Sequence, residues 1–408
     1  MRLGIVFDFD GVLVESLNKL LDLYVLVCNQ FNERNKLIDV DLDFKELNGK
    51  NIHEISEFIS NKYSISSITD EIEVFYNSRL LDIYNDMVIE SPILDLIMFV
   101  KSKGIEMSIA SGCDTHLIER VLINHGIDDI FNTVIGGDKV EKAKPNPGII
   151  NTCLKYSGWD TAILIDDSNN GIASGLAAGC RVIKYDEYTK NNIKNILLQS
   201  IENNYSFLGR FNNLNFFEIG IVSEKYSILD ENEWALLEAN GSYCDVTYHV
   251  NPQDILVNNT ISVYRSNYKN FRVGITPPLL AVTGLVSDNR GYFLCAERSS
   301  VNYQNTGCWD LIPSGSLAVL DYIEQLKTEW LEESSSNIDL EWKEEVSVIY
   351  DHTHNVIDIL LSSDNNRFDV SSMSSQETNH FMWIDIKRNT SLPIAGSAAF
   401  ITSLMEGV

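Results

Sequence analysis

The chain is poor in basic charge. Lysine and arginine number 31 against 58 aspartates and glutamates in 408 residues, a formal net charge of -27. Such a field repels phosphate backbones and anionic lipid, which argues against nonspecific binding to nucleic acid or to an anionic membrane. A phosphorylated substrate would then need a local cation, and a bound metal can supply it. Cysteine is sparse and scattered: Cys28, Cys113, Cys153, Cys180, Cys244, Cys295 and Cys308 are odd in number and lack C-x-x-C spacing. That pattern disfavours a disulfide framework or a zinc site. No apolar run approaches a membrane span, and the first residues lack a signal-peptide core, so the expected compartment is the cytoplasm. What is present is 44% hydrophobic and 22% charged residues, the balance of a globular protein with ample core. The length favours two or three domains.

The first informative stretch is Val6-Phe7-Asp8-Phe9-Asp10-Gly11. Residues 3–7 read as a short buried strand. Asp8 and Asp10 leave it on one side, because strand side chains alternate. Paired carboxylates repel and call for a cation; hard oxygen donors suit Mg²⁺. A carboxylate beside Mg²⁺ can also attack phosphorus and form an aspartyl-phosphate. A turn with a chance D-x-D-G is the competing reading.

From Ser16 to about Val88 the pattern is helical, with Leu17, Leu20, Leu21 and Tyr24 at helical spacing and a repeat over Ile52–Ile59. A helical insert directly after the first strand reads as a cap over the catalytic edge. Its Asn48-Gly49-Lys50-Asn51 reads equally as a polar loop reaching the cleft and as a solvated interhelix loop. A second strand, Met107–Ala110, ends in Ser111-Gly112, which can bind a phosphoryl oxygen beside a helix beginning near Thr115. Lys144 precedes Pro145-Asn146-Pro147; the prolines stiffen its backbone and can start the next helix. A third strand, Ala162–Ile165, runs into Asp166-Asp167, then a helix rich in alanine and glycine, and Val182-Ile183 begins another strand.

Together, Asp8-x-Asp10-Gly11, Ser111, Lys144 and Asp166-Asp167 resemble the four ordered motifs of the haloacid dehalogenase superfamily. "DFDGVLVES", "KPNP" and "DDSNNGIASGLAAG" are similar to its phosphatase and phosphomutase branch over about residues 1–200. The resemblance implies an α/β fold with a Rossmann-like parallel sheet and a helical cap at about 16–88; the fading strand–helix alternation over about 191–217 places the end of this domain near residue 205. It implies a Mg²⁺-dependent aspartyl-phosphate mechanism. Asp8 is then the nucleophile and Asp10 the general acid, later the base that activates water. Ser111, Gly112 and Lys144 hold the phosphoryl group. The metal is held by the Asp8 carboxylate, the Asp10 main-chain carbonyl and Asp167, with Asp166 assisting.

After a polar transition over about 191–217, short β-like segments follow, with a hairpin expected from Leu279–Val286 and Gly291–Cys295 around Ser287-Asp288-Asn289-Arg290. Pro313-Ser314-Gly315-Ser316 then precedes a helix expected over Val319–Glu333 carrying Glu329, Glu332 and Glu333. Positions i, i+3 and i+4 share a helix face; the set reads as a second metal site or as a solvated acidic face. With Arg298, the run Trp309–Gly315 and a late strand Phe381–Ile384, the segment 210–408 resembles a Nudix hydrolase, an α+β domain built as an α/β/α sandwich. The match is divergent. Thr328 replaces the arginine of the family pattern and Ser335 its later glycine. Counted from Gly315, Asp321 replaces the first glutamate and Glu329 comes one residue early.

The expectation is a Mg²⁺-dependent phosphatase acting on a small phosphorylated metabolite, a sugar or polyol phosphate by preference, with no nucleic-acid or membrane partner. A phosphomutase is the alternative for the first half. The second half is expected to bind or slowly hydrolyse a nucleoside-diphosphate compound, or to act as a pyrophosphatase in a bifunctional enzyme.

Overall fold

The computed structural model describes residues 2–30, 57–58, 61–62, 69–212, 214–221, 246–252, 255, 260–267, 271, 276–299, 307–364, 368–371, 373–375, 378–386, 393–395, 398, 400–401 and 404. The chain divides into two compact units, 1–194 and 195–408.

The first unit runs β1 (Leu3–Phe7), α1 (Leu17–Gln30), α2 (Thr69–Asn85), α3 (Ser91–Ser102), β2 (Met107–Ala110), α4 (Thr115–Asn124), β3 (Phe131–Ile135), α5 (Gly148–Ser157), β4 (Thr161–Asp166), α6 (Asn169–Ala177), β5 (Arg181–Lys184) and a one-turn α7 (Glu187–Lys190). The strand order is β3-β2-β1-β4-β5, all parallel. This is the α/β, Rossmann-like arrangement. Strands buried on both faces read as continuous apolar runs, and Ile5, Val6, Phe7, Ile163, Leu164 and Ile165 are all fully buried. Helices cover the sheet with the spacing of one apolar face, as in α3, where Ile93, Leu96, Ile97 and Val100 are buried. In α6 a side chain at Gly175 would come within 2.7 Å of Leu164 and Val182, so the small residue lets the helix lie close to β4 and β5. The helices α1 and α2 are tied by Tyr24 and Tyr76, whose rings stack at 5.4 Å and whose hydroxyls meet at 3.0 Å. The Asn48–Asn51 loop and most of Ile52–Ile59 lie outside the described residues.

The second unit is mostly strands. After α8 (Ile193–Asn203), which spans the division between units, come β6 (Tyr205–Asn212), β7 (Asn215–Ile221), β8 (Val246–His249), β9 (Thr260–Asn267), β10 (Leu279–Val286), β11 (Phe293–Arg298), β12 (Trp309–Leu311), β13 (Ser314–Ser316), α9 (Tyr322–Ser334), β14 (Glu345–Asp351), β15 (Val356–Ser363) and β16 (Thr378–Ile384). One mixed sheet has the order β6-β14-β15-β10-β8-β9-β7, with β13 also on β10; a smaller antiparallel sheet has the order β12-β11-β16.

The expected hairpin is corrected here. The turn does close: Asp288 Oδ1 accepts the N–H groups of Arg290 and Tyr292, and Ser287 bridges Phe293. Beyond it β10 and β11 part into different sheets. Each buries a face in a shared core of Val286, Leu294, Ala296, Ile312, Trp330 and Leu340. The α9 helix starts at Tyr322 rather than Val319, because Asp321 caps it by accepting from the N–H groups of Ile323 and Glu324. Among the described residues no helix is long and apolar enough to cross a membrane.

Candidate active site

The register of the first unit decides which side chains meet. Phe7 pairs with Ile109 on β2 and with Ile165 on β4, so three strands end level. Asp8 follows β1, and its N–H donates to the Ile165 carbonyl at 2.9 Å. Asp166 is the last residue of β4, and Asp167 follows. Ligand oxygens of Asp8, Asp166 and Asp167 lie within 4.8 Å of one another. Lys144, in the loop before α5, places Nζ 2.7 Å from Asp166 Oδ2 and 3.1 Å from Asp8 Oδ1. The second of these contacts is an ion pair without hydrogen-bond alignment, since Asp8 Oδ1 is buried with no hydrogen-bond partner.

Ser168 orients Asp166. Its N–H and hydroxyl both donate to Oδ1, at 2.8 and 2.7 Å, while the hydroxyl also caps α6 by accepting from the Gly171 N–H. Both Asp166 oxygens are thus engaged. Gly11, at φ +81°, leaves room for Asp167, whose Oδ2 would lie 2.3 Å from any Cβ there. Ser111 leaves β2 at the same edge; its N–H donates to Ile135 at 3.0 Å and its hydroxyl accepts from the Cys113 N–H at 3.3 Å. Around Gly112 a Cβ would meet nothing within 4 Å. The structure therefore brings Asp8, Lys144, Asp166 and Asp167 together, with Asp10, Ser111 and Gly112 on the same edge.

Charge at the site is unbalanced. Burial and the neighbouring Asp166 push Asp8 up to about 7, against the pull of Lys144. Burial, Asp166 and Asp8 raise Asp167 well above the usual carboxylate range. Burial alone would depress the Lys144 ammonium, but Asp166 and Asp8 outweigh it and hold it above its ordinary value. Crowded carboxylates with raised proton affinity, and a buried orphan oxygen on Asp8, are what an added cation would relieve. The donors are all hard oxygens, so the set fits Mg²⁺.

Asp10 has a partner that sequence reasoning missed. Tyr84, on α2, donates its hydroxyl to Asp10 Oδ1 at 2.8 Å. Nothing in the helical pattern distinguishes Tyr84 from Tyr24 or Tyr76, which pair with each other. Burial raises the Asp10 carboxyl, and the Ser16 and Tyr84 hydroxyls act against it.

In the second unit the three glutamates of the α9 face have different surroundings. Glu333 is buried and its Oε2 accepts the Ser314 N–H at 2.9 Å. Glu329 accepts from Gln325 Nε2 at 2.8 Å and lies against Gly315, where a Cβ would sit 2.0 Å from Oε1. Glu332 is exposed. Among the described residues, the group of Asp8, Asp166 and Asp167 is the one cluster with metal-ligand spacing. Thr328, where the family pattern has arginine, turns its hydroxyl back to the Glu324 carbonyl at 3.1 Å. Arg298 donates to Asp310 Oδ2 at 2.9 Å and to Ser314 Oγ at 3.3 Å. Beside them a cavity of about 210 Å³ is lined by Arg298, Asp310, Gly315, Asp351, His354 and Asp358, among others.

Residues 5–185 match the family of haloacid dehalogenase-like hydrolases. A phosphoglycolate phosphatase of Haemophilus influenzae is 26% identical over 198 residues, which cover 43% of this chain and 82% of that protein. Hexitol phosphatase B of Escherichia coli is 25% identical over 198 residues, covering 44% and 82%. A β-phosphoglucomutase structure from Clostridium difficile is similar at a TM-score of 0.40 and 22% identity, covering 48% of this chain and 89% of that one. Residues 5–185 thus form a haloacid dehalogenase-like hydrolase domain, and the chain is an enzyme with a phosphatase-type domain.

Proposed function

We propose that the first unit hydrolyses a small phosphomonoester, a sugar or polyol phosphate by preference, through a phosphorylated Asp8. The observation that supports this most is Lys144 standing between Asp8 and Asp166, at 3.1 and 2.7 Å, beside a third carboxylate. Phosphoryl transfer asks mainly for in-line positioning and charge neutralisation. An Asp8 carboxylate oxygen bonds to phosphorus as the bond to the leaving oxygen breaks. Asp10 gives its proton to that oxygen. Asp10 then takes a proton from the water that attacks phosphorus and frees Asp8. Ser111, the Gly112 N–H and Lys144 hold the phosphoryl oxygens. Mg²⁺, held by the Asp8 carboxylate, the Asp10 carbonyl and Asp167 with Asp166 assisting, would neutralise charge on the transferring group.

The relatives' names, phosphoglycolate phosphatase and hexitol phosphatase, agree with a small phosphorylated metabolite. A phosphomutase would use the same aspartates but must keep water out. The test is Mg²⁺-dependent phosphate release by the full chain from phosphorylated sugars, polyols, 2-phosphoglycolate and nucleotides. Release from at least one ester supports the reading. Isomerised sugar phosphate accumulating faster than free phosphate replaces it with a mutase, and no turnover of any ester overturns it.

For the second unit, the reading is a Nudix-like domain of α/β/α type that binds a nucleoside-diphosphate compound and cleaves it slowly. It is supported by the order β13 then α9, by Glu329 and Glu333 against Ser314-Gly315, and by the neighbouring cavity. Thr328 and the outward Glu332 account for slow turnover, since metal ligands left unoriented lose rate. Calorimetry and product analysis on the full chain, with a nucleoside-diphosphate sugar and Mg²⁺, test it. Fast cleavage would make the protein a bifunctional pyrophosphatase and phosphatase; absence of binding would remove the Nudix reading.

A further inference from the structure

We infer that Tyr84 is a positioning residue for Asp10, holding its carboxyl so that the acid proton sits on Oδ2 and faces the leaving group. The inference rests on the phosphatase reading and deepens it. Tyr84 is only 2% exposed, and its hydroxyl donates to Asp10 Oδ1 at 2.8 Å. An oxygen that accepts this bond is a poor place for a proton, so protonated Asp10 carries it on Oδ2. After the proton leaves, the same bond stabilises the carboxylate.

The fold keeps Tyr84 in place. Its ring stacks on Phe9 at 6.1 Å with planes 19° apart. Just beyond α2, Ile89 bridges Val14, and Val14 also bridges Asp10. The end of the helix and the turn carrying Asp10 are therefore tied together. Asp10 remains partly exposed while Tyr84 is sealed beneath it, the arrangement of a proton donor facing a cleft with its orienting partner behind.

The chemistry gives a readout that a merely structural role would not move. A leaving alkoxide needs a proton as the P–O bond breaks; p-nitrophenolate does not. Well-placed general acids contribute about 10²–10⁴-fold, and misplacing one should forfeit about tenfold of that. In Tyr84→Phe, which keeps the Phe9 stack, kcat/KM for alkyl esters such as glycerol phosphate and 2-phosphoglycolate should fall about tenfold. With p-nitrophenyl phosphate it should stay within about twofold. The parameter kcat/KM is chosen because it stops at phosphoryl transfer to Asp8 and omits the later water step. Tyr76→Phe, which removes a buried hydroxyl from the same helix that reaches Tyr24 and not Asp10, is the matched control and should leave both esters unchanged. An equal loss on both ester types in Tyr84→Phe, or no loss on either, overturns the positioning role while the phosphatase reading stands. If the parent releases phosphate from none of these esters, the phosphatase reading fails and the Tyr84 role goes with it.

Discussion

The Lys144 ammonium meets Asp166 Oδ2 at 2.7 Å in a buried pair, and the same ammonium lies 3.1 Å from Asp8 Oδ1. Removing one partner of a buried ion pair is costly because the other charge is left uncompensated. Lys144→Met should destabilise the first unit by on the order of 3 kcal/mol. It should also lower phosphate release by at least about 100-fold, through loss of electrostatic support for the transferring group. Because the three carboxylates are then more in need of a cation, Mg²⁺ should raise the melting temperature of the variant more than that of the parent. Melts with and without Mg²⁺ check this, and equal shifts would count against a cation at Asp8, Asp166 and Asp167.

A second expectation concerns the end of α9. Ser335 closes the helix at φ 50°, where glycine is favoured. A non-glycine residue in the left-handed region costs about 1 kcal/mol. Ser335→Gly should therefore stabilise the second unit by roughly 0.5–1 kcal/mol, read as an upward shift of the denaturation midpoint. A downward shift would mean that the serine makes a compensating contact.

A third expectation concerns pH. Asp358, in the cavity of the second unit, accepts from the Thr283 hydroxyl at 2.7 Å through Oδ2, while Oδ1 is buried with no hydrogen-bond partner. Burial, then Asp310 and Asp351, push it up to about 7. The sign follows. The folded pKa exceeds the unfolded value, so the unfolded chain releases its proton first, and stability is lost as pH rises from about 4 to about 7. Asp358→Asn keeps the oxygen that Thr283 needs and removes the charge. It should stabilise on the order of 1–3 kcal/mol at pH about 8 and by much less at pH about 4. Unfolding curves at the two values decide, and a larger gain at the acidic one would contradict the assignment.

Much of the first unit is legible in the sequence because buried parallel strands are continuous apolar runs stopped by the residues that do the chemistry. Met107–Ala110 is the observed β2, and Asp8, Ser111 and Asp166 mark where apolar runs end. β3 was not legible: Phe131 and Ile135 are buried but Asn132 is exposed and Thr133 and Val134 only partly covered, so no run announces it. The parting of β10 and β11 was illegible because both strands have apolar residues to bury whether they pair with each other or face each other across a core. Spacing put Glu329, Glu332 and Glu333 on one face, yet tertiary contacts with Ser314-Gly315 draw in Glu329 and Glu333 and leave Glu332 outside. Tyr84 was illegible for a different reason. Its partner, Asp10, lies 74 positions away in the chain, and no local pattern encodes that meeting.

The central claim is that Asp8 carries the phosphoryl group. Asp8→Asn keeps the shape of the side chain and removes the nucleophile, since an amide is a poor one. The most direct measurement is Mg²⁺-dependent phosphate release by this variant and the parent on the best ester from the screen, with melting curves to show that both are folded. The account predicts a folded variant whose phosphate release is lost. A folded variant with activity within about twofold of the parent would contradict it, because general acid catalysis and phosphate binding alone cannot replace the covalent step.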